Sequence, residues 1–265
     1  MSRSTKPKWP AFRPCAICTT WCRGALMPQS RPQTLLDLLE QRNALMPRQA
    51  AFFWEDHPFS FEELWDAAGR FGAFLLGLGV NAGDRVLVRI PNGPDFFQAF
   101  YGTLRAGAVA VPVFPASGPE RVAALARLCG AAIVVVQGGR GEEVPGLSAV
   151  TVAESANCPP HAPFPAIAPD AVAFLQYTSG STGSPKGVML SHRGLLTNIE
   201  QLIEGMALTS SDCFVSWLPV FHDMGLILMT MVPFYLGAKM VLLPTSLANA
   251  RPWLVAIARH GGTVT

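Results

Sequence analysis

Short apolar runs alternate with longer amphipathic stretches along most of this chain. Residues 131–136 are continuously apolar, which suits a parallel strand buried on both faces of a sheet. Between such runs, apolar residues recur every three or four positions, as in the helical stripe Leu64, Ala68, Phe71 and Leu75. Strands that alternate with helices predict an α/β fold of layered, mostly parallel sheets flanked by helices.

The same patterns predict the individual elements. Ser60 followed by Glu63 is typical of a capping box and predicts that a helix begins at residue 61. Strands are predicted at residues 50–54, 85–90, 108–113, 131–136, 171–177, 188–190, 213–217 and 239–243. Helices are predicted at residues 35–46, 61–78, 97–104, 121–128, 192–206, 224–236 and 252–260, and residues 263–265 are expected to enter a further strand.

Five prolines interrupt this alternation between residues 153 and 169. Proline removes a backbone donor and fixes φ, so neither a helix nor a central strand is expected to run through the segment. We therefore predict a proline-rich linker at 153–169, between a first α/β sub-domain at 33–152 and a second at 170–265.

The first 32 residues differ in charge from the rest. They hold six of the 20 basic side chains and none of the 18 acidic ones, which leaves a net charge of −4 for the remainder. A mildly acidic folded part predicts no nucleic-acid partner. Cys15, Cys18 and Cys22 lie in this segment without a second pair or a suitably spaced histidine, so an unstructured basic tail is favoured over a zinc site. Translation could also begin at Met27.

Half of the residues are hydrophobic, only 14% are charged and the mean hydropathy is +0.30, values compatible with a membrane protein or with a piece of a larger globular enzyme. The longest uncharged candidate, residues 224–238, is 15 residues long and contains Pro233. A spanning helix needs about 20 apolar residues, so no transmembrane segment is predicted. The cysteines outside the tail are scattered, as is usual for a reduced protein of the cytoplasm.

A loop rich in glycine and hydroxyl side chains follows the strand predicted at 171–177. Its glycines allow positive φ and close backbone approach, its hydroxyls donate hydrogen bonds, and Lys186 adds a positive charge, a combination that predicts an anion-binding nest for phosphate. It is not the common nucleotide P-loop, because Pro185 precedes the lysine and Gly187 follows it. A flexible linker is the alternative, although linkers rarely lie between two strand-like runs. The proposed phosphate-binding residues are Thr178, Ser179, Gly180, Ser181, Thr182, Gly183, Lys186 and Gly187.

Three stretches resemble the adenylate-forming (AMP-binding) superfamily. Residues 176–188, QYTSGSTGSPKGV, resemble its phosphate loop, and residues 102–113, GTLRAGAVAVPV, resemble its helix-to-strand segment ending in Val-Pro. Residues 217–226, WLPVFHDMGL, resemble its substrate-side motif. The resemblance runs from about residue 34 to the end and is strongest to fatty acyl-AMP ligases and long-chain acyl-CoA synthetases. It implies that the chain forms the N-terminal portion of such an enzyme, with an incomplete N-terminal domain.

The resemblance also implies a reaction. Family members condense a carboxylate with ATP, giving an acyl adenylate and pyrophosphate, and pass the acyl group to a carrier-protein thiol or to CoA. By resemblance, the loop and Lys186 would hold the triphosphate, and Mg²⁺ would share its charge near Thr182. His222, Asp223 and Gly225 would lie on the fatty-acid side, with Lys186 and His222 as the catalytic pair.

Simpler interpretations exist for the fatty-acid side. His222 alone would suit a buried core histidine, Asp223 could cap the following helix, and residues 225–232 could be core rather than the wall of a hydrocarbon tunnel. The family's later motifs, including a Tyr-Gly-x-x-Glu segment, a ribose-binding Asp and a C-terminal domain with a catalytic Lys, do not occur before Thr265. Three hypotheses follow: an active ligase of which this is the N-terminal portion, a non-catalytic ATP- or acyl-binding fragment, and half of a split ligase.

Overall fold

Two sheets, of six and four strands, carry the fold in the computed structural model, which describes residues 31–138, 144–178, 185–245 and 250–265. The strands are β1 (Ala50–Trp54), β2 (His57–Ser60), β3 (Arg85–Arg89), β4 (Val109–Pro112), β5 (Ile133–Val136), β6 (Ser148–Val150), β7 (Val172–Thr178), β8 (Lys186–Ser191), β9 (Cys213–Ser216) and β10 (Lys239–Leu242). The α-helices are α1 (Leu35–Leu45), α2 (Phe61–Gly77), α3 (Pro94–Arg105), α4 (Pro119–Cys129), α5 (His192–Gly205), α6 (Val232–Leu236) and α7 (Arg251–His260).

The strand order confirms the predicted α/β class. The six-stranded sheet runs β6-β5-β3-β4-β7-β8, and every neighbouring pair in it is parallel except the hairpin β7–β8. The four-stranded sheet runs β2-β1-β10-β9, with β2 antiparallel to β1 and the other pairs parallel. The strand expected at residues 263–265 is represented by a parallel bridge between Val264 and Phe214.

Most element predictions are confirmed to within a few residues, with three differences. Strands β2 and β6 were not predicted, and the predicted helix 224–236 is a π-helix over Met224–Met231 followed by α6. The predicted capping box is present, since the Ser60 hydroxyl accepts from the Glu63 N–H at 3.2 Å and the Glu63 carboxylate accepts from the Ser60 N–H at 2.7 Å. The predicted unstructured tail, residues 1–32, lies outside the described residues apart from its last two.

Helices cover both faces of the six-stranded sheet. On one face Leu87, Val111 and Val134 pack with apolar side chains of α4. On the other face Val86, Val88 and Ala110 join the main core, to which α2 and α3 contribute a cluster of phenylalanines. Alternate residues of one strand therefore enter different cores, which explains why the middle residues of the central strands are apolar on both faces.

Strands from both sides of the proline-rich segment share each sheet. β1 pairs with β10, and β4 pairs with β7, so the sheets do not divide the chain at residues 153–169. Residues 31–265 form one compact unit. Within the four-stranded sheet the register places Phe53 beside Val241, two residues that are far apart in sequence.

The proline-rich segment packs closely against α2 and α3. It begins with a 3-10 turn, Val152–Ser155, and contains neither α-helix nor strand, as its composition predicts. A Cβ atom at Gly69 would lie 2.0 Å from the Pro160 carbonyl oxygen, so only glycine permits this approach. The Arg105 guanidinium lies between the rings of Trp65, at 3.8 Å, and Phe164, at 4.4 Å, and its burial lowers its pKa to about 10.

His192 links the start of α5 to the start of α1. Its ring is buried, and its Nδ1 accepts a hydrogen bond from the Leu35 N–H at 3.2 Å. Burial lowers the pKa of His192 from 6.5 to about 4, because protonation would place a charge in the core and remove the acceptor.

We expect the free energy of unfolding to fall as the pH falls from about 6.5 to about 4. In this window the unfolded chain binds a proton on His192 that the folded chain excludes, which is worth up to about 1.4 kcal/mol per pH unit. Urea unfolding at a series of pH values should give a flatter pH dependence for His192→Asn than for the parent. The same change at the exposed His161 should leave the parent slope in place. Equal slopes for the parent and His192→Asn would contradict the assignment.

Candidate active site

The β7–β8 hairpin brings together the two ends of the predicted phosphate loop. Thr178 is paired with Lys186 at the loop end of the hairpin, and both residues are exposed. Ser179, Gly180, Ser181, Thr182 and Gly183, which the sequence also assigned to the loop, lie outside the described residues. Among the described residues the loop therefore presents a lysine ammonium and a threonine hydroxyl beside each other, which are suitable donors for an anion.

Gly187 closes the carboxyl-terminal end of this loop against an aromatic ring. It is paired with Tyr177, and a Cβ atom at position 187 would lie 3.1 Å from the tyrosine ring. Partial burial and the neighbouring Cys129 thiol raise the pKa of the Tyr177 hydroxyl, so the ring stays neutral at physiological pH. The glycine assigned to the loop thus has a steric role in the hairpin.

A connecting segment, residues 217–223, joins β9 to the π-helix and contains His222 and Asp223. The two side chains are 70% and 67% exposed, and His222 Nδ1 lies 3.4 Å from Asp223 Oδ1. The interpretation of His222 as a buried core histidine is therefore wrong. The Asp223 carboxylate accepts a hydrogen bond from the Met224 N–H at 2.7 Å, which confirms its capping role.

Gly225 allows the connecting segment to fold back tightly on itself. The His222 N–H donates to the Pro219 carbonyl at 3.1 Å, and the Leu226 N–H donates to the His222 carbonyl at 2.8 Å. A Cβ atom at position 225 would lie 2.1 Å from the Pro219 carbonyl oxygen, which is backbone and cannot rotate away. The residues that follow, through Met231, are mostly buried in the main core.

Gln176 joins the connecting segment to the strand that leads into the phosphate loop. Its side chain is 9% exposed, and its Nε2 donates to the Phe221 carbonyl at 3.1 Å. Gln176 and Thr178 are two residues apart on β7 and share one face of the strand. The Phe221 ring also contacts the ring of Phe114, just beyond β4, with ring centroids 5.3 Å apart.

Asn92 joins the connecting segment to both sheets. It follows β3, is 5% exposed, and accepts a hydrogen bond from the Val220 N–H at 2.9 Å. Its Nδ2 donates to the Leu218 carbonyl at 2.9 Å and to the Leu243 carbonyl, just beyond β10, at 3.0 Å. One amide therefore satisfies backbone groups beyond the carboxyl ends of β9 and β10 from a turn beyond the carboxyl end of β3.

These contacts place the candidate site where the carboxyl ends of parallel strands from both sheets meet. β3, β4 and β7 supply Asn92, Phe114 and Thr178, and β9 leads into the connecting segment. Open α/β sheets commonly bind ligands at this edge. Sequence reasoning did not assign Asn92 and Gln176 to the site. The local signals were the turn-forming sequence Pro91-Asn92-Gly93-Pro94 and the place of Gln176 at the start of the loop motif 176–188.

Thr178 and Lys186 can donate hydrogen bonds to the oxygens of a polyphosphate, whereas the described residues offer few ligands for a metal ion. In residues 31–138, 144–178, 185–245 and 250–265, no group of three or more His, Cys, Asp or Glu side chains could hold a metal ion. Thr182, the residue assigned to the metal, lies outside these ranges. Nor does this part of the chain contain a helix long and apolar enough to cross a membrane.

The sequence profile of the family described as AMP-binding enzyme matches residues 39–265. The chain belongs to this family. It is 33% identical over 225 residues to 4-coumarate--CoA ligase 5 of Oryza sativa subsp. japonica, covering 77% of this chain and 41% of that protein. It is 35% identical over 257 residues to the long-chain-fatty-acid--AMP ligase FadD23 of Mycobacterium tuberculosis, covering 84% of this chain and 44% of that protein.

The fold agrees with the sequence comparison. A fatty acyl-adenylate ligase from L. pneumophila, solved in complex with acyl adenylate and pyrophosphate, superposes with a TM-score of 0.78 at 29% identity. The match covers 88% of this chain and 44% of that chain. This AMP-binding family member thus spans less than half the length of each of these three relatives.

The close contact at Gly225 predicts a sharp difference between two glycine substitutions. Gly225→Ala should lower the free energy of unfolding by at least about 2 kcal/mol, because the added methyl group would overlap the Pro219 carbonyl. Gly205→Ala, in α5 with no heavy atom within 4 Å of the added Cβ, should leave stability unchanged or raise it by up to about 1 kcal/mol. Urea unfolding of both variants measures this difference, and a Gly225→Ala variant as stable as the parent would contradict the contact.

Proposed function

We propose that the chain supplies the phosphate-binding and acyl-side elements of a ligase that uses ATP to convert a fatty acid into an acyl adenylate. One observation carries the proposal: Gln176 bonds the connecting segment, with His222 and Asp223, to β7, the strand that ends at Thr178 opposite Lys186. A donor pair for phosphate and a second polar group thus lie on elements held together at one edge. The relatives named as a fatty-acid--AMP ligase and a fatty acyl-adenylate ligase support the choice of substrate.

The chemistry of the proposed reaction is a displacement at phosphorus. A carboxylate oxygen attacks the α-phosphorus, a new carbon–oxygen–phosphorus linkage forms, and the bond to pyrophosphate breaks. Negative charge grows on the leaving pyrophosphate, so catalysis depends on positioning and on electrostatic stabilisation. The Lys186 ammonium and the Thr178 hydroxyl would stabilise this charge together with the remaining loop residues. Mg²⁺ would neutralise phosphate oxygens near Thr182.

The connecting segment would serve the carboxylate side of the reaction. His222 is exposed and can donate a hydrogen bond to a bound carboxylate or acyl phosphate oxygen. Asp223 fixes the start of the π-helix through the Met224 N–H, and Gly225 lets the backbone of the segment turn. The acyl group of the adenylate would then pass to a carrier-protein thiol or to CoA, in the cytoplasm. The names of the relatives include a CoA ligase as well as an AMP ligase.

Two alternatives use the same residues, since Thr178, Lys186 and His222 are exposed to a ligand whether or not they act in catalysis. The chain could also act as a non-catalytic ATP- or acyl-binding fragment, or as one half of a split ligase. Reading the coding sequence downstream of Thr265 separates the three. A continuous frame supports the ligase, an adjacent second frame with related sequence supports the split enzyme, and neither supports the binding fragment.

The purified 265-residue chain alone should show little or no fatty-acid-dependent exchange between ATP and pyrophosphate. Transition-state stabilisation in such a reaction draws on several elements at once, and this chain spans less than half of its relatives. Radiolabelled pyrophosphate incorporation with dodecanoate as substrate is the measurement. Vigorous exchange by this chain would contradict the expectation that further residues are needed.

Binding of Mg·ATP by the chain should depend on Lys186. Lys186→Met removes the lysine ammonium group at the end of the loop. Its loss should weaken Mg·ATP binding about tenfold, which corresponds to the free energy of one charge-assisted hydrogen bond. Lys239→Met is the matched control, because it makes the same change in charge at the amino end of β10. Isothermal titration calorimetry gives both affinities. Equal affinities for the parent and Lys186→Met would exclude Lys186 from the phosphate site.

A further inference from the structure

The connecting segment has buried backbone polar groups that its own residues do not satisfy. Val220 is fully buried and Phe221 is 9% exposed, so their N–H and C=O groups have little access to water. An unpaired buried backbone group costs about as much as a lost hydrogen bond. Two side-chain amides from distant parts of the chain, Asn92 and Gln176, fill this need, and they are called the amide pair below.

We infer that the amide pair sets the position of His222 and Asp223 relative to the phosphate hairpin. Asn92 holds the segment at Leu218 and Val220, and Gln176 holds it at Phe221, immediately before His222. Asn92 lies outside the three motifs, and Gln176 is the first residue of the stretch 176–188 but is not among its proposed phosphate-binding residues. Both act through the backbone of the segment, so they are positioning residues for the acyl side of the site.

The two amides attach the connecting segment to different parts of the fold. Asn92 lies in the turn after β3 and also donates to the Leu243 carbonyl, so it fixes the segment against both sheets. Gln176 lies on β7, two residues before Thr178, so it fixes the segment against the strand that carries the phosphate loop. Moving Gln176 therefore changes the distance between the acyl side and the phosphate side, whereas most core substitutions would move both together.

The buried side chain of Gln176 carries a free-energy cost, which fits a positioning role. Its Oε1 is buried and has no hydrogen-bond partner in the part of the chain that the structure describes, although its Nε2 is bonded to Phe221. A buried acceptor without a partner is unfavourable, and an apolar side chain of similar length would avoid it. A glutamine at this position thus gains little stability for the fold, but it holds one specific carbonyl.

Two substitutions test the amide pair, each with a control that makes the same chemical change on the exposed face of α5. Gln176→Met keeps the length of the side chain, removes the donor to Phe221 and removes the unpaired Oε1. Asn92→Asp keeps the acceptor for Val220 and replaces the donor to two carbonyls by an oxygen. Gln201→Met and Asn198→Asp are the controls.

The first measurement is hydrogen–deuterium exchange of peptides covering residues 217–226. We expect exchange there to become about tenfold faster in Gln176→Met and Asn92→Asp, as for the loss of one buried hydrogen bond, and to remain at the parent rate in the controls. For Gln176→Met the urea midpoint should stay close to that of the parent, because the lost bond and the lost unpaired acceptor offset each other. Parent-like exchange in both variants would overturn the inference.

The second measurement compares two ligands on the 265-residue chain, and it rests on the proposed function. Gln176→Met should weaken binding of dodecanoate about tenfold while Mg·ATP affinity changes less than twofold, a split that general loss of structure would not give. Unchanged dodecanoate affinity, or equal loss of both ligands, would overturn the positioning role. If the parent binds neither ligand, the proposed function fails, and the exchange measurement alone decides whether the amide pair holds the segment.

Discussion

The connecting segment between β9 and the π-helix must place polar backbone where water does not reach. It runs across the edge at which the carboxyl ends of both sheets meet, so its carbonyl and N–H groups need partners from those sheets. Asn92 and Gln176 provide them with two carbonyl contacts and one N–H contact, and Asn92 also donates to the Leu243 carbonyl just beyond β10. In a buried environment such bonds are strong and orient their groups tightly, so the geometry of the candidate site follows from them.

The two sides of the site are built in different ways. The proposed phosphate side ends in an exposed hairpin whose Thr178 and Lys186 are open to a charged ligand. The proposed acyl side is held by buried amides and by the tight turn at Gly225, and its His222 and Asp223 side chains project outward. A polyphosphate must enter with its counterions and hydration and therefore suits an accessible loop. A carboxylate that must attack the α-phosphorus in line suits a backbone that is already fixed.

The layered α/β class was predictable because residues 131–136 are apolar throughout and amphipathic helical stretches, such as the one at 61–78, lie between the strand-like runs. Sequence reasoning missed β2, in which Pro58 and His57 hide a short edge strand, and it could not show that residues 224–231 adopt a π-helix rather than an α-helix. The loop and the His222 motif were recognisable locally. The amide pair was not, because Asn92 and Val220 are 128 residues apart and their hydrogen bonds leave no periodic pattern in the sequence. The proline content showed that residues 153–169 are irregular, but it did not show that the Pro160 carbonyl oxygen packs closely against Gly69.

The four-stranded sheet also limits the order in which the protein can fold during its synthesis. β1 and β2 emerge from the ribosome long before β10, which is the parallel partner of β1. At an elongation rate of about 5–20 residues per second, roughly 10–40 s pass before that partner exists. During this interval the apolar residues Phe52 and Phe53 lie on a hairpin with one open edge. Protection of that edge, by α2 folding over it or by a chaperone, is therefore a condition for the nascent chain to reach this topology.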